Sequence, residues 1–444
     1  MLSALQSLGE AIDAAWAEQH YDAAAFPELA AQALSEGMLH LGFSLEATLA
    51  SVLTARQMPA QEPPVSRGLL TLTLARWPRF LFELRVLGEP DPSLQSHRVP
   101  GAFQLLSGQA LASSWVFDPE DEINEGFAWG RLELERVEWL KPGDARPAAP
   151  GRQMVHTSVT LDDPTVMLVL RATRPSVLGE RRTWTPGASL DLSQIPALVS
   201  LQQQALEVMQ HVSVERFDEA LGQLLTRLDV ASAFYLLMQS ARHLSEPSRR
   251  ERVLVGLNAQ SPVWGRRFAE ALDEEVRRQW LLRRQSAWTA PEHRRLWALM
   301  LTLPNRKALL DAIHQLHPGE DALELALEWV RSLALAPAQN AGDPNALGVE
   351  LNDTTSLILR AMMESDDMPS VLRRLGEVYE PEDVRAQASR IASVCALFRA
   401  GPRPYNRSSA DHPASPRVIL LSFPPREAAE TLWFDTDCSA APAS

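Results

Sequence analysis

The sequence predicts an α+β multidomain protein, with a central antiparallel β-barrel or jelly roll between a short N-terminal helical segment and a larger all-α domain. Apolar residues recur at helical spacing over residues 1–57 and again over 195–400, whereas residues 66–175 hold short β-prone runs separated by turn residues. A chain of 444 residues, 45% hydrophobic and 22% charged, has the length of several domains and the composition of a folded protein.

In the first segment Leu2, Leu5, Leu8, Ile12 and Trp16, then Leu29, Ala33, Leu41, Leu45, Leu49 and Leu53, fall on helical faces. The stretch Met58–Arg67 (MPAQEPPVSR) marks a linker. From Leu69 to Thr173 the pattern becomes that of strands: Phe80–Leu87 and Arg131–Trp139 alternate over much of their length, as half-buried strands do. Gly88, Pro90, Gly101, Gly108, Gly130, Gly143 and Gly151 punctuate them, the spacing of a sandwich or barrel. A connection over Arg174–Pro196 leads to the helical domain, where Leu221, Leu224, Leu225 and Leu228 share a face, as do Leu323, Leu327 and Val330. Pro247, Pro262, Pro291, Pro304, Pro318, Pro337 and Pro369 divide its helices, and no fixed repeat period stands out. Residues 401–444 read as an irregular tail.

Composition excludes several chemistries. Lys141 and Lys307 are the only lysines, and neither stands in a P-loop, so nucleoside-triphosphate and Schiff-base readings fall away. The Arg, Ala and Pro bias points to a GC-rich bacterial genome. Cys395, read within a helical stretch, and Cys438 cannot form a disulfide framework or a cysteine zinc site. Glu10, Asp13 and Glu18 break any leader-like apolar run, and nothing approaches a spanning helix, so a soluble cytoplasmic protein is expected. The net charge of −14 disfavours nucleic acid and anionic membrane as partners of the whole chain. There is no GxSxG, HExxH or dinucleotide-binding GxGxxG.

The residues with chemical promise lie in the β region. Ser93–Gly108 reads SLQSHRVPGAFQLLSG, and Leu140–Thr173 contains Gly143, Pro150, Gly151 and His156. These two stretches resemble the paired motifs of the cupin superfamily, a small β-barrel or jelly roll that usually holds one metal ion, over roughly a quarter of the chain. His97 matches the second histidine of the first motif, Gly101 stands at its glutamate position and Gly108 at its closing glycine, while His156 matches the histidine of the second motif. Lacking that glutamate, the chain looks most like the thiol (cysteine) dioxygenase-like cupins, which bind iron through three histidines. The first of those histidines aligns with Gln95, whose amide oxygen is a weaker donor than imidazole. No match stands out for the Arg or Tyr with which thiol dioxygenases hold substrate. The resemblance thus implies a metal site of His97, His156 and Gln95, with Gln104 a further candidate, holding Fe(II) or another divalent ion. The alternative is a barrel without metal.

Other features are weaker. His314, His317 and Glu320 could form a metal trio, but histidines near a helix C-terminus are the simpler reading. Arg242–Lys307 holds fourteen basic against seven acidic residues, with Trp264, Trp280, Trp288 and Trp297 interleaved, a surface for an anionic or protein partner or, more simply, core tryptophans in a chain whose bases are nearly all Arg. Pro119–Glu125 (PEDEINE) reads as a solvated loop. The function expected first is an iron-dependent oxygenase acting on a small thiol or amino-acid-like substrate. The rival is a non-catalytic cupin-fold binding or scaffold protein with a helical partner-binding domain; a ligand-sensing regulator is a third option. A homodimer formed through the sheets, common among cupins, would suit any of these.

Overall fold

The computed structural model describes residues 2–386 apart from 62–68, 89, 152–153, 175–181, 186, 304, 339–343, 348–349 and 366–367. Cys395, Cys438 and the expected 401–444 tail lie outside them. The chain divides into two units, residues 1–194 and 195–444.

The first unit begins with helices α1 (Leu2–Glu18), α2 (Phe26–Glu36) and α3 (Leu45–Thr54). Eleven strands follow: β1 (Leu70–Arg76), β2 (Phe80–Leu87), β3 (Asp91–Gln95), β4 (Gly101–Ser107), β5 (Ala110–Asn124), β6 (Phe127–Leu140), β7 (Ala145–Ala148), β8 (Val155–Thr160), β9 (Thr165–Ala172), β10 (Arg182–Thr185) and β11 (Ala188–Asp191). One sheet has the order β1-β2-β9-β4-β7, and β10-β11-β6-β5-β8-β3 close into a ring. All the strand pairings are antiparallel, and β2 to β9 form a jelly roll of two facing sheets.

The N-terminal helices are part of this unit's core. Leu5, Ile12, Trp16, Phe26, Ala30 and Leu34 cluster with Phe80, Phe82, Leu84 and Val86 of β2, Leu168 and Leu170 of β9, and Ala102 and Leu106 of β4. One face of the five-stranded sheet is therefore covered by helices. Its opposite face carries Leu87, Phe103, Leu105 and Met167, which pack with Ala110, Ala112 and Leu140 of the ring. The alternation in Phe80–Leu87 thus reports two different coverings; neither face is open to solvent. The expected loop at Pro119–Glu125 is in fact strand as far as Asn124, with the turn at Glu125–Gly126, because β5 and β6 pair along their whole length. The connection expected over Arg174–Pro196 contains β10 and β11, which close the ring.

The second unit is helical: α4 (Ala197–Val212), α5 (Val214–Arg227), α6 (Val230–Ser240), α7 (Pro247–Gln260), α8 (Pro262–Arg283), α9 (Pro291–Thr302), α10 (Arg306–Leu316), α11 (Ala322–Leu335), α12 (Asp353–Glu364), α13 (Met368–Gly376) and α14 (Pro381–Ala386). Pro247, Pro262 and Pro291 open helices at the first turn, where a missing N–H costs nothing. Ser213, Asp229, Asn305, Asp321 and Asn352 cap others through their side chains. The main helix contacts run between neighbours one or two places along the chain, so the packing is nearly one-dimensional although no sequence period marks it. No helix among the described residues is long and apolar enough to cross a membrane.

Candidate metal centre

His97 lies where the chain crosses from β3 of the ring to β4 of the five-stranded sheet. His156 stands near the start of β8, after the reverse crossing from β7. Two backbone contacts tie the crossings together: His97 bridges Pro150, and Gly151 N–H donates to the His97 carbonyl at 2.8 Å. Gly151 has φ +66°, a left-handed conformation that glycine adopts without strain. The result is an Nε2···Nε2 separation of 3.1 Å between His97 and His156.

Register places Gln95 with them. Gln95 pairs with His156, which pairs with Ser114 on β5, so the three share one face of the ring. It is the face of Ala112, directed toward the five-stranded sheet. His156 and Gln95 consequently face the five-stranded sheet. Leu111, Trp115, Val155 and Val159 are buried on the other face, inside the ring. Gln104 is not available to this centre: its Nε2 donates to the carbonyls of Leu34 at 2.8 Å and Gly143 at 3.1 Å, on the helix side of the sheet. Gly101 cannot be exchanged for the glutamate of the usual motif, since even a Cβ there would lie 2.5 Å from the Leu170 carbonyl oxygen.

Burial favours the neutral form of His156. Burial pushes the His156 pKa down from 6.5 to about 4, opposed by a backbone polar contact from Met154; its Nδ1 is buried without a well-formed hydrogen bond. Two neutral imidazoles can share one proton between their Nε2 atoms, or turn both lone pairs on a cation. With metal–nitrogen bonds of about 2.1 Å, a 3.1 Å separation subtends about 95°, which suits neighbouring positions on an octahedral ion. Two imidazole nitrogens so placed could serve a divalent ion, and Gln95 shares the His156 face by register. Among the described residues no group of three or more His, Cys, Asp or Glu side chains forms such a site.

A pH signature follows for the metal-free protein. Between pH 6.5 and about 4 the unfolded chain protonates at this position and the folded chain does not, so stability should fall by about 3 kcal/mol as pH drops through that window. Urea midpoints measured across it should vary less in His156→Gln; an unchanged pH dependence would contradict the assignment.

The reading of Phe80–Leu87 and Thr165–Thr173 as plain strands missed a charged group on the same cleft-facing side. Glu83 is fully buried, its Oε1 accepting from Arg171 Nε at 3.0 Å and Nη2 at 2.7 Å, and its Oε2 from Arg85 Nη2 at 2.8 Å. Burial raises its carboxyl pKa, but the Arg171 and Arg85 guanidiniums outweigh that and hold it below the usual value. Two cations face one anion, and Arg85 Nε is buried with no hydrogen-bond partner. Arg171 pairs in register with Gly101, four positions after His97.

The other candidates do not assemble. His314 is exposed, while His317 contacts Glu320 at 3.2 Å and packs edge-on against Trp329. In the arginine-rich stretch Arg249, Arg250, Arg267, Arg277 and Arg278 are buried, and Trp288 and Trp297 are core residues. Arg266 and Arg283 remain exposed.

No protein-family model matches the chain, and no curated protein matches it. Among solved structures, a cupin superfamily protein from Desulfitobacterium hafniense DCB-2 is similar at 19% sequence identity, over 27% of this chain and 100% of that chain, with a TM-score of 0.17.

Proposed function

We propose that the first unit is a cupin-type metal centre serving an oxygenase, with Fe(II) held by His97, His156 and Gln95 and a small thiol or amino-acid-like substrate bound in the cleft. The observation that carries the reading is the 3.1 Å approach of two imidazole Nε2 atoms, one of them held neutral by burial. The bound ion would supply a redox-active Lewis acid with open positions for substrate and O₂. His156, neutral throughout the physiological range, offers its lone pair without first losing a proton. Arg85 and Arg171, cationic in excess of Glu83, favour an anionic group such as a carboxylate nearby. Phe103 and Met167, on the same face of their sheet, supply apolar surroundings on that side.

The test is elemental analysis of the untagged protein before and after anaerobic Fe(II) loading. About one iron per chain is expected, lost in His97→Ala/His156→Ala, and Gln95→His should hold it more tightly because imidazole is the stronger donor. Iron content unchanged in the double variant would end this reading.

A second reading is a metal-free cupin-fold binding or scaffold module whose helical unit meets a protein partner. The small donor set favours it. Protein that refuses iron, yet recovers one specific partner from its native host, would establish it.

A further inference from the structure

The two edges of the five-stranded sheet are β7 and β1. They differ in the risk they carry. β7 is four residues long and holds Pro147, and short strands and proline both discourage pairing with another chain. β1 is seven residues long, and LLTLTLA at Leu69–Ala75 is uncharged, β-prone and free of proline, the composition of a segment that adds to other strands. Yet the middle of β1 is sealed: Leu72, Thr73 and Leu74 are 7%, 1% and 6% exposed. The seal at Thr73 is a side chain. Gln61 Oε1 accepts from the Thr73 N–H at 2.8 Å, and Gln61 Nε2 donates to the Thr73 carbonyl at 3.1 Å. Gln61 Nε2 also donates to the Pro59 carbonyl at 2.8 Å, which fixes the way round the amide sits.

A primary amide carries the donor and acceptor of one peptide unit, so Gln61 occupies Thr73 as a residue of a sixth strand would. Strand addition needs that same N–H and carbonyl. The segment holding Gln61 does not itself form a strand: residues 55–61 have no helix or strand, and Pro59 has no N–H to give. The edge is thus covered by something that cannot propagate a sheet. A register shift between Thr73 and Ala75, next to the capped residue, disrupts the edge further. We infer that Gln61 guards the open edge of the five-stranded sheet, and that breaking its bonds to Thr73 lets β1 pair antiparallel with β1 of a second copy of this chain. A second copy is the occupant because two identical edges satisfy each other through a two-fold axis, and LLTLTLA carries no charge with which to repel itself. The guard works with or without a metal at His97 and His156.

Sedimentation velocity of the full chain, from about 1 to 100 µM, compares the unaltered protein with Q61A and with Q61M, which keeps the length of the side chain and loses both bonds. Both variants should self-associate at least about tenfold more tightly than the unaltered chain. Adding T71P should reverse this. Thr71 lies two residues before Thr73 and its N–H points the same way, away from β2, so proline there removes an edge donor and leaves the β1–β2 ladder bonds alone. If T71P disturbs the circular dichroism spectrum, T71K takes its place, since a lysine on an edge strand opposes pairing. At about 1 µM, where copies stay apart, the Thr73 amide should exchange at least about tenfold faster in Q61A. Association of Q61A and Q61M no tighter than that of the unaltered chain overturns the proposal, as does an increase that the Thr71 variants leave in place. Unchanged exchange at Thr73 also overturns it. Self-association of the unaltered chain that the Thr71 variants abolish would show an edge already open, and it too would overturn the proposal.

Discussion

Glu83→Gln is expected to destabilise the first unit by about 3–5 kcal/mol, the usual loss when one member of a buried ion group is removed. The carboxylate is fully buried between β2 and β9 and accepts from both Arg85 and Arg171. Without its charge, two guanidiniums only 16% exposed would face one neutral amide. Hydrogen exchange across β2 and β9 is the direct measurement, because a unit-wide figure from global unfolding would mix two transitions. Protection retained within about 1 kcal/mol of the unaltered chain would show that solvent reaches this group freely. Replacing Glu83 and Arg171 together by Leu and Met should cost less than the sum of the single changes, as expected for groups in contact. The linkage has a definite sign. Because the folded-state pKa of Glu83 is lowered, its contribution is present above the ordinary carboxyl value near 4.5 and is lost as pH falls through the folded-state value below it. Acid should therefore weaken the unit in two stages, first through His156 and then through Glu83.

Arg249→Met should have an effect of similar size in the helical unit. The Arg249 guanidinium donates to both Asp218 oxygens, with Nη2 to Oδ1 at 2.7 Å, and Nη1 donates to the His243 carbonyl at 2.6 Å. Asp218 is only 4% exposed, so losing Arg249 strands a buried carboxylate and a carbonyl together, a loss of about 3–5 kcal/mol. Arg252 also reaches Asp218, at 2.8 Å, but its side chain is 57% exposed. Arg252→Met should accordingly cost no more than about 1 kcal/mol. Urea unfolding followed by hydrogen exchange in α5 and α7 would compare the two. Equal effects would mean that Asp218 is held by charge in general rather than by the Arg249 fork.

The contrast between these arginines shows where reading the sequence stops. From Arg242 to Lys307 every base looks alike along the chain, and the excess of positive charge reads as a docking surface or, more simply, as the habit of a chain whose bases are nearly all Arg. Arg249 and Arg252 differ because α7 buries one against Asp218, thirty-one residues away, while the other reaches the same carboxylate with a side chain 57% exposed. Glu83 and Arg171 stand eighty-eight positions apart and meet through strand register, which no local pattern announces. The β10–β11 closure is hidden for a related reason: four-residue strands are too short to display a period.

What the sequence determined by itself was the succession of helical, β and helical segments, since helix and strand periods are local properties. Its paired motifs also singled out Gln95, His97 and His156 as candidate ligands. The tertiary structure decided what covers each face: helices over one side of the five-stranded sheet, the ring on the other, and Gln104 turned away from the histidines toward Leu34. It also set the 3.1 Å between the imidazoles and the burial that keeps His156 neutral. Periodicity records that two faces differ; their coverings, and hence the charge states of the groups they carry, depend on contacts between residues far apart in the chain.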